Sequence, residues 1–450
     1  MGVEENRQFC FYLNSFTPSI AGDVRQVQTA SSKDRHGIME QIETVIIGGG
    51  QAGLAMSYYL GQLGREHVVL ERHRVAERWR SERWDSLTFQ SPNWNIQLPG
   101  LTFEDSDPAA FASRDDVLRF IERYAAFIRA PLRCGLAATA LRQTPDSKRL
   151  IVETPTALLE AKNVVIATGP FQIPAAPLPI GSTALHLHSS QYRNPQLLPP
   201  AGAVLVIGSG NSGAQIAEEL CSADRRVYLS VSKHRRTPRR YRGKDYIWWY
   251  MALGEADLTV DRRRDDQPPR LITGVGGGHD VDLRRLADDG VVLLGRVLGE
   301  QGGRLAIADD LREHLAQGDA SFSDFIQQAD QYAARNGLDL PSPDEHAEVL
   351  YAPKEVIDPL LTLDVAAADI TTIIWANGFR YDFSWIDLPI FEKKMQSCGR
   401  VPMHDRGIAE VPGVYFLGLP WLHKIKSSFL WGVGEDAEYL AKHIAGDARP

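Results

Sequence analysis

Two glycine-rich turns carry the chemistry that this chain is equipped to do. Gly48-Gly49-Gly50-Gln51-Ala52-Gly53 follows the apolar run Thr44-Val45-Ile46-Ile47, and Gly208-Ser209-Gly210-Asn211-Ser212-Gly213 follows Ala203-Val204-Leu205-Val206-Ile207. Each reads as strand, G-x-G-x-x-G, helix. The glycines let the backbone approach a pyrophosphate, and the helix N-terminus offers unpaired N–H donors and a positive dipole end. One such match is weak evidence. Two in strand–helix context point to two dinucleotides on one protein and to electron transfer between them.

The residues after each turn distinguish the two nucleotides. In the first unit, His67-Val68-Val69-Leu70 reads as a second strand that ends in Glu71. An acid there accepts hydrogen bonds from ribose hydroxyls, so this site should take an adenine dinucleotide without a 2′-phosphate, FAD or NAD. In the second unit the helix Ala214–Leu220 and the strand Val227-Tyr228-Leu229 repeat the pattern, but alignment of the two units puts Ser230 at the acid's position, one residue earlier counted from the last glycine. Lys233, His234, Arg235 and Arg236 follow. Serine and cations at that place suit the 2′-phosphate of NADPH, which a carboxylate would repel. A basic solvated loop is the alternative reading. Between the units, Glu77–Ser86 interleaves arginines with tryptophans, Arg78 and Trp79 among them. They can form a cofactor wall by pairing with phosphate and stacking on a flat ring, or an amphipathic surface segment.

The elements that must hold these turns are legible along the chain. Leu54, Ala55, Tyr58, Tyr59, Leu60 and Leu63 fit an amphipathic helix after the first turn. Two similar segments, Asn163–Gly169 (with Thr168 and Gly169 at its end) and Thr372–Gly378, read as buried strands that end in small residues. One precedes the second glycine unit and the other follows it, as expected if the second nucleotide domain is inserted into the first. Pro170, Pro174, Pro177 and Pro179 mark a stiff link. Gly413–Gly418 reads as a last strand and Gly434–Ile444 as a last helix. The expected fold is therefore α/β, with two Rossmann-like dinucleotide-binding domains. The first domain spans 41–175 and 365–450. The second spans 176–364 and carries a helical and aromatic insert at about 240–345. In that insert Tyr246–Met251 lines a cavity, anchors a partner or packs a core, and Ser321–Asn336 reads as a helix. His279, after three glycines, reads as structural. Residues 1–40 read as a loosely ordered extension without a secretory signal.

Bulk properties exclude other classes. The chain has 450 residues, 44% of them hydrophobic, and a net charge of −8, which gives no general attraction to nucleic acid. No apolar stretch reaches the length of a membrane span. The four cysteines form no C-x-x-C pair, which argues against a disulfide-reductase site and a cysteine zinc site and leaves the cytoplasm as the default compartment. No metal-ligand cluster or nucleophile–base pair stands out.

These residues, with His188-Ser189-Ser190-Gln191-Tyr192-Arg193-Asn194-Pro195, resemble the class B flavin-containing monooxygenases from about residue 41 to 444. The likeness is strongest to a bacterial branch related to the plant auxin-forming enzymes, through Glu77–Gly100, Asn377–Ile386 and Tyr415–Tyr439. There are departures. The fingerprint F-x-G-x-x-x-H-x-x-x-[Y/F] falls on Ser182, Ala184, His188 and Tyr192, so its Phe and Gly are lost. The family's G-G-x-W is Ala76-Glu77-Arg78-Trp79, its second Thr-Gly is Asn377-Gly378, and its flavin-side asparagine falls on Gln90. The resemblance implies that NADPH reduces FAD. The reduced flavin would capture O₂ as a C4a-hydroperoxide and pass one oxygen to a small substrate with an N-, S- or carbonyl-type centre. Gln90, Asn93 and Trp94 are then candidates for the wall beside the reactive ring. Gly48, Gly50, Gly53, Glu71, Arg78, Trp79, Thr168, Gly169, Gly378 and Gly418 would bind FAD or border it. Gly208, Gly210, Asn211, Ser212, Gly213, Ser230, Lys233, Arg235 and Arg236 would serve NADPH, and His188 and Tyr192 of the fingerprint are further cofactor-binding candidates. A peroxide-forming NADPH oxidase and a nucleotide-sensing protein without catalysis are the competing readings, and a homodimer is left open.

Overall fold

The computed structural model describes residues 39–446 except 106, 147, 264–266, 343–351, 394 and 397. The N-terminal extension, with Cys10, lies outside the described residues apart from its last two, which begin a strand. In chain order the parallel strands are β1 (Met39–Ile47), β2 (His67–Glu71), β3 (Leu132–Cys134), β4 (Leu158–Ile166), β5 (Leu185–His188), β6 (Ala203–Ile207), β7 (Val227–Ser230), β8 (Val292–Leu294), β9 (Ile370–Trp375) and β10 (Val414–Phe416). The helices that matter most are α1 (Gln51–Gln62), α2 (Asn211–Ser222), α3 (Tyr246–Ala252), α4 (Leu311–Arg335) and α5 (Val433–Ala445).

Two parallel sheets result. The first runs β3–β2–β1–β4–β10, and the second β5–β9–β6–β7–β8. Each glycine turn joins the central strand to a helix, β1 to α1 and β6 to α2. Both central strands are buried on both faces, which is why they read as unbroken apolar runs. Each sheet has an antiparallel companion. In the first it is Ala140–Gln143 and Leu150–Glu153, which pair onto the start of β4. In the second it is a separate ribbon of Val297–Gln301, Arg304–Ile307 and Thr362–Asp364. The second unit is thus a near-copy of the first, held between its two parts.

The links differ in detail from the sequence reading. β4 belongs to the first sheet and β9 to the second, where it pairs with both β5 and β6. The second unit therefore extends through Trp375, past the expected boundary at 364, because β9 is needed to fill the middle of its sheet. The links themselves are the residues after these strands. They pair as a short ribbon, Phe379 opposite Pro174 and Arg380 opposite Ile173.

A further connection was not legible. Trp84 and Leu87 come from the first part of the chain, yet they pack in the hydrophobic core of the second unit with Tyr192, Val204 and Ile216. Asp85 N donates to Arg193 O at 2.8 Å, and Asn194 Nδ2 donates to the Asp85 carboxylate at 2.6 Å.

The aromatic run Tyr246–Met251 is helical and packs a core of its own. Tyr246, Trp249 and Tyr250 are buried against Phe325, Ala329 and Ala333 of α4. α4 starts earlier than the expected Ser321, at Leu311. His279 is tied to α2 by a 2.6 Å bond between Nε2 and Glu218 Oε1. The Glu218 bond raises the His279 pKa against the opposing effect of burial. A raised folded-state value means that the contribution to stability is full below the unfolded pKa of about 6.5 and is lost as pH rises through the folded value. With solvent screening of this half-exposed pair the effect is ~0.5 kcal/mol. Wild type should therefore lose slightly more melting temperature than His279→Gln between pH 5.5 and 8.5; an identical loss in both would remove the pair from the stability account.

Candidate functional site

The two glycine turns have the same internal geometry. A Cβ on Gly48 would lie 2.4 Å from Ala167 O, and one on Gly53 would lie 1.9 Å from Gly48 O. In the second turn a Cβ on Gly208 would lie 2.6 Å from Ala376 O, and one on Gly213 would lie 1.8 Å from Gly208 O. Side chains at these four positions are excluded by backbone. At Gly50 and Gly210 a Cβ would meet nothing within 4 Å. The outer glycines are therefore required by the protein's own packing, and the middle ones by whatever lies above them. Gly50 and Gly210 are also the N-cap residues of α1 and α2, and neither helix has a side-chain cap. The first N–H groups of each helix are left for a ligand. An open cradle with uncapped amides fits a dinucleotide pyrophosphate in both places.

Around the first turn, Glu71 is at the end of β2 and accepts from Gly49 N at 2.8 Å and His73 N at 2.9 Å. The carboxylate is held at the rim of the turn. Gly418 has φ +77°, and a Cβ there would lie 2.6 Å from Ala52 Cβ, so it lets the loop after β10 close on α1. Gln51 Nε2 donates to Ser428 O at 3.3 Å and brings the segment before α5 to the same turn. Thr168 Oγ1 and Gly169 O both accept from Gln172 Nε2, at 3.0 and 2.9 Å, which fixes the start of the first link. Arg78 is paired with Glu82 and donates to Gln172 O at 2.9 Å. Trp79 packs between the two cores and lies 5.8 Å from the Phe89 ring, centroid to centroid.

The second turn corrects part of the sequence reading. Ile47 pairs with Leu70 and Ile207 pairs with Ser230, so Ser230 corresponds to Leu70 and the position of Glu71 falls on Val231. Counting from the last glycine of each turn would have given the same answer. The acid is still missing. Ser230 is 3% exposed; its hydroxyl donates to Gly295 O at 3.1 Å and accepts from Val297 N at 3.2 Å, so it is committed inside the sheet. Arg236 is likewise consumed, by Asp282 at 2.8 Å and Asp319 at 2.7 Å. Arg235 Nε donates to Pro268 O at 2.9 Å, and burial followed by the nearby Arg270 charge lowers its pKa. Lys233 is exposed and has no hydrogen-bond or ion-pair partner among the described residues. Asn211 Oδ1 accepts from Ile272 N at 2.9 Å, while Gln215 Nε2 donates to Ile272 O at the same distance, and these bonds bring the 272–274 loop against α2. Ser212 is half-buried in the first turn of α2.

His188 and Tyr192 are both held by hydrogen bonds within the protein, and His188 also lines a cavity. His188 Nδ1 accepts from Ser190 N at 3.2 Å, so its Nε2 carries the proton that is donated to Gly378 O at 3.0 Å. Burial lowers its pKa, which keeps the ring neutral. It ties the end of β5 to the second link at Gly378 (φ +90°). Beside it a cavity of about 480 Å³ opens, with Arg78, Gln172, Arg193 and Trp375 in its lining. Tyr192 is fully buried, and its hydroxyl donates to Glu219 Oε2 at 2.8 Å. Burial pushes both the Tyr192 and the Glu219 pKa up. Tyr192→Phe should cost ~1.5–3 kcal/mol, as loss of a bond to a charged group does. The melting temperature should fall while the spectrum of bound cofactor stays unchanged; a spectral change with no loss of stability would return Tyr192 to the cofactor site.

The segment Phe89–Gly100 runs from the 272–274 loop, which is bonded to α2, to α1 and the first turn of α5. Arg239, 2% exposed, donates from Nη1 to Gln90 O at 2.9 Å and is paired with Asp245. A Cβ on Gly274 would lie 2.3 Å from Phe89 O, so the loop bonded to α2 presses on this segment. At its other end Pro99 would lie 2.9 Å from a Cβ on Gly434, in the first turn of α5. Asn93 is buried here. Trp94, the third candidate of this segment, is 41% exposed. Arg239 and Gly274 were not legible because the backbone atoms they meet, at Gln90 and Phe89, are distant in sequence.

Two dinucleotide cradles on paired parallel sheets, bridged by one wall, define a pyridine-nucleotide-dependent flavoprotein oxidoreductase. Residues 45–249 match the family described as pyridine nucleotide-disulphide oxidoreductase. An uncharacterized CzcO-like oxidoreductase of Geobacillus kaustophilus is 31% identical over 409 residues, covering 90% of this chain and 98% of that protein. The rice indole-3-pyruvate monooxygenase YUCCA4 is 30% identical over 207 residues, covering 42% of this chain and 46% of that protein. The solved flavin-containing monooxygenase of Stenotrophomonas maltophilia shares the fold with a TM-score of 0.59 at 19% identity, covering 91% of this chain and 99% of that one. The chain belongs to the CzcO-like oxidoreductase family. No described helix is long and apolar enough to cross a membrane.

Proposed function

We propose that the chain binds FAD at the first turn and NADPH at the second, and that it transfers one oxygen atom of O₂ to a small organic substrate. The observation that carries this reading is the pair of matching cradles, each open above its middle glycine. The amides after Gly50 hold the FAD pyrophosphate, and Glu71 accepts from the adenosine ribose. The amides after Gly210 hold the NADPH pyrophosphate. Val231 offers no carboxylate to repel a 2′-phosphate, and Lys233 is the free cation beside it, with Arg235 behind. When bound, the flavin supplies hydride acceptance and reaction with O₂. The protein's part is to align the two nucleotides and exclude water: Arg239 fixes the Gln90 backbone, and Gln51 and Gly418 close the C-terminal segment on α1.

The substrate is taken as a soft nitrogen or sulfur nucleophile or a carbonyl compound. The test is a screen of amines, thioethers and ketones with NADPH under ¹⁸O₂, following labelled product and peroxide together. At least one substrate class should gain a single ¹⁸O and lower the peroxide yield per NADPH. One peroxide per NADPH with every compound would make the protein an NADPH oxidase instead.

A further inference from the structure

The cavity beside His188 belongs to neither nucleotide cradle. Its walls come from the first unit (Arg78 and Glu82), the first link (Gln172 and Pro174) and the second unit (β5, Arg193 and Trp375). No residue of either glycine turn, of Phe89–Gly100 or of the loop before α5 lines it. Trp375 packs with Leu205 and Ile207, on the sheet face opposite to Val204, Val206 and α2. The cavity therefore lies along β5, an edge strand of the second sheet, where the two units and a link meet. Its volume of about 480 Å³ falls in the range of small-molecule pockets, roughly 300–1,000 Å³. Pro174, Pro177 and Gln191 of its lining are exposed, so solutes can enter.

Positive charge collects here without its counterpart. Arg193 is half-buried, and its Nη1 donates to two backbone carbonyls, Ser190 O at 2.9 Å and Tyr192 O at 2.8 Å. Its Nε and Nη2 have no partner among the described residues, yet neither is a buried atom, so both remain reachable. Arg83 lies against the Trp79 and Phe171 rings, 5.8 and 5.1 Å from their centres, and donates to Glu82 O rather than to a carboxylate. Burial lowers its pKa to about 10; Glu82 opposes the fall, and the charges of Arg78 and Arg193 deepen it. Three guanidiniums thus gather around one carboxylate, Glu82, which is paired with Arg78. Asp85 also acts on Arg193, but it is held by Arg114 at 2.8 Å and by Asn194. Charge withdrawn from water without an opposite partner is costly, and an anion from solution offsets that cost. We propose that this cavity binds a small organic acid, a carboxylate or a phosphate monoester, on the free edge of Arg193. Nε and Nη2 form a fork that takes two oxygens of such a group. Pro174, Pro177 and Trp375 give its body an apolar wall. Bound there, the acid bridges the two units at the link between them. The inference stands apart from the oxygen-transfer reading, since it needs neither cradle.

The experiment is calorimetric titration of benzoate and of phenyl phosphate into the full-length protein, with saturating NADP⁺ present to fill the second cradle and sodium chloride as the ionic-strength control. At least one probe should bind wild type, and the tighter of the two identifies the acid as carboxylate or phosphate. Arg193→Met keeps the length of the side chain but loses the fork, and should weaken that binding about tenfold. Gln191→Glu is the second variant. Gln191 Oε1 accepts from His188 N at 2.8 Å, which a carboxylate also does, so the change adds negative charge to the lining without removing a bond. It should weaken binding in the same direction, and it decides the matter if Arg193→Met does not fold. Melting curves without probe report folding. No binding of either probe to wild type, or equal binding by wild type and the folded variants, would overturn the proposal. Binding that disappears when NADP⁺ is present would place the probes at the second cradle and overturn it as well.

Discussion

Gly50→Val should give a folded, colourless protein. Gly50 has φ −91° and ψ −172°, extended backbone that valine adopts without strain, and no protein atom lies where its Cβ would go. The new side chain would occupy the pyrophosphate's place and nothing else's. Loss of the phosphate contacts should weaken FAD binding by at least ~10³-fold, about 4 kcal/mol. Gly210→Val, at φ −68° and ψ −179°, should stay yellow yet fail to be reduced by NADPH. Gly53→Val is the contrast, since its Cβ would lie 1.9 Å from Gly48 O and the chain should not fold. The measurements are flavin absorbance after gel filtration, circular dichroism and anaerobic reduction. A folded Gly50→Val that keeps a full complement of FAD would refute the site.

Changes at the cations after β7 should separate cofactor choice from stability. Lys233→Glu should raise KM for NADPH by ~10–100-fold and leave NADH nearly untouched, since a charge-assisted contact to phosphate contributes ~1.5–3 kcal/mol. Arg236→Ala should do the reverse. It leaves Asp282 without its ion pair, while Asp319 keeps Arg284, in a site where the arginine side chain is 13% exposed, and breaking a buried pair costs up to ~3–5 kcal/mol. Its melting temperature should drop sharply, while the NADPH-to-NADH preference of the protein that remains folded should hold. If Lys233→Glu weakens both cofactors alike, this lysine does not read the 2′-phosphate.

What the sequence revealed was local. A glycine turn, the strand before it and the helix after it are written within about twenty residues, so both cradles, Glu71 and the inserted second unit could be read directly. What it concealed depended on pairs far apart. Arg236 looked free because Asp282 and Asp319 are distant in the chain. Tyr192 looked like part of a cofactor fingerprint because Glu219 sits on another element. Ser230 was mistaken for the acid's counterpart by a single residue, and in a strand one residue reverses the face. Arg193 carried no local signal, since its interest lies in having no carboxylate partner beside a cavity.

Trp84 and Leu87 bear on how this protein can be divided. They fill the core of the second unit from a position ahead of both links. A fragment cut at the links, about 176–376, would contain the whole second sheet but have two holes where these side chains belong, and the remainder would expose them to water. The two halves are therefore not interchangeable cassettes. Swapping in a nucleotide unit from another flavoprotein to change the reductant requires moving the 84–87 arm with it.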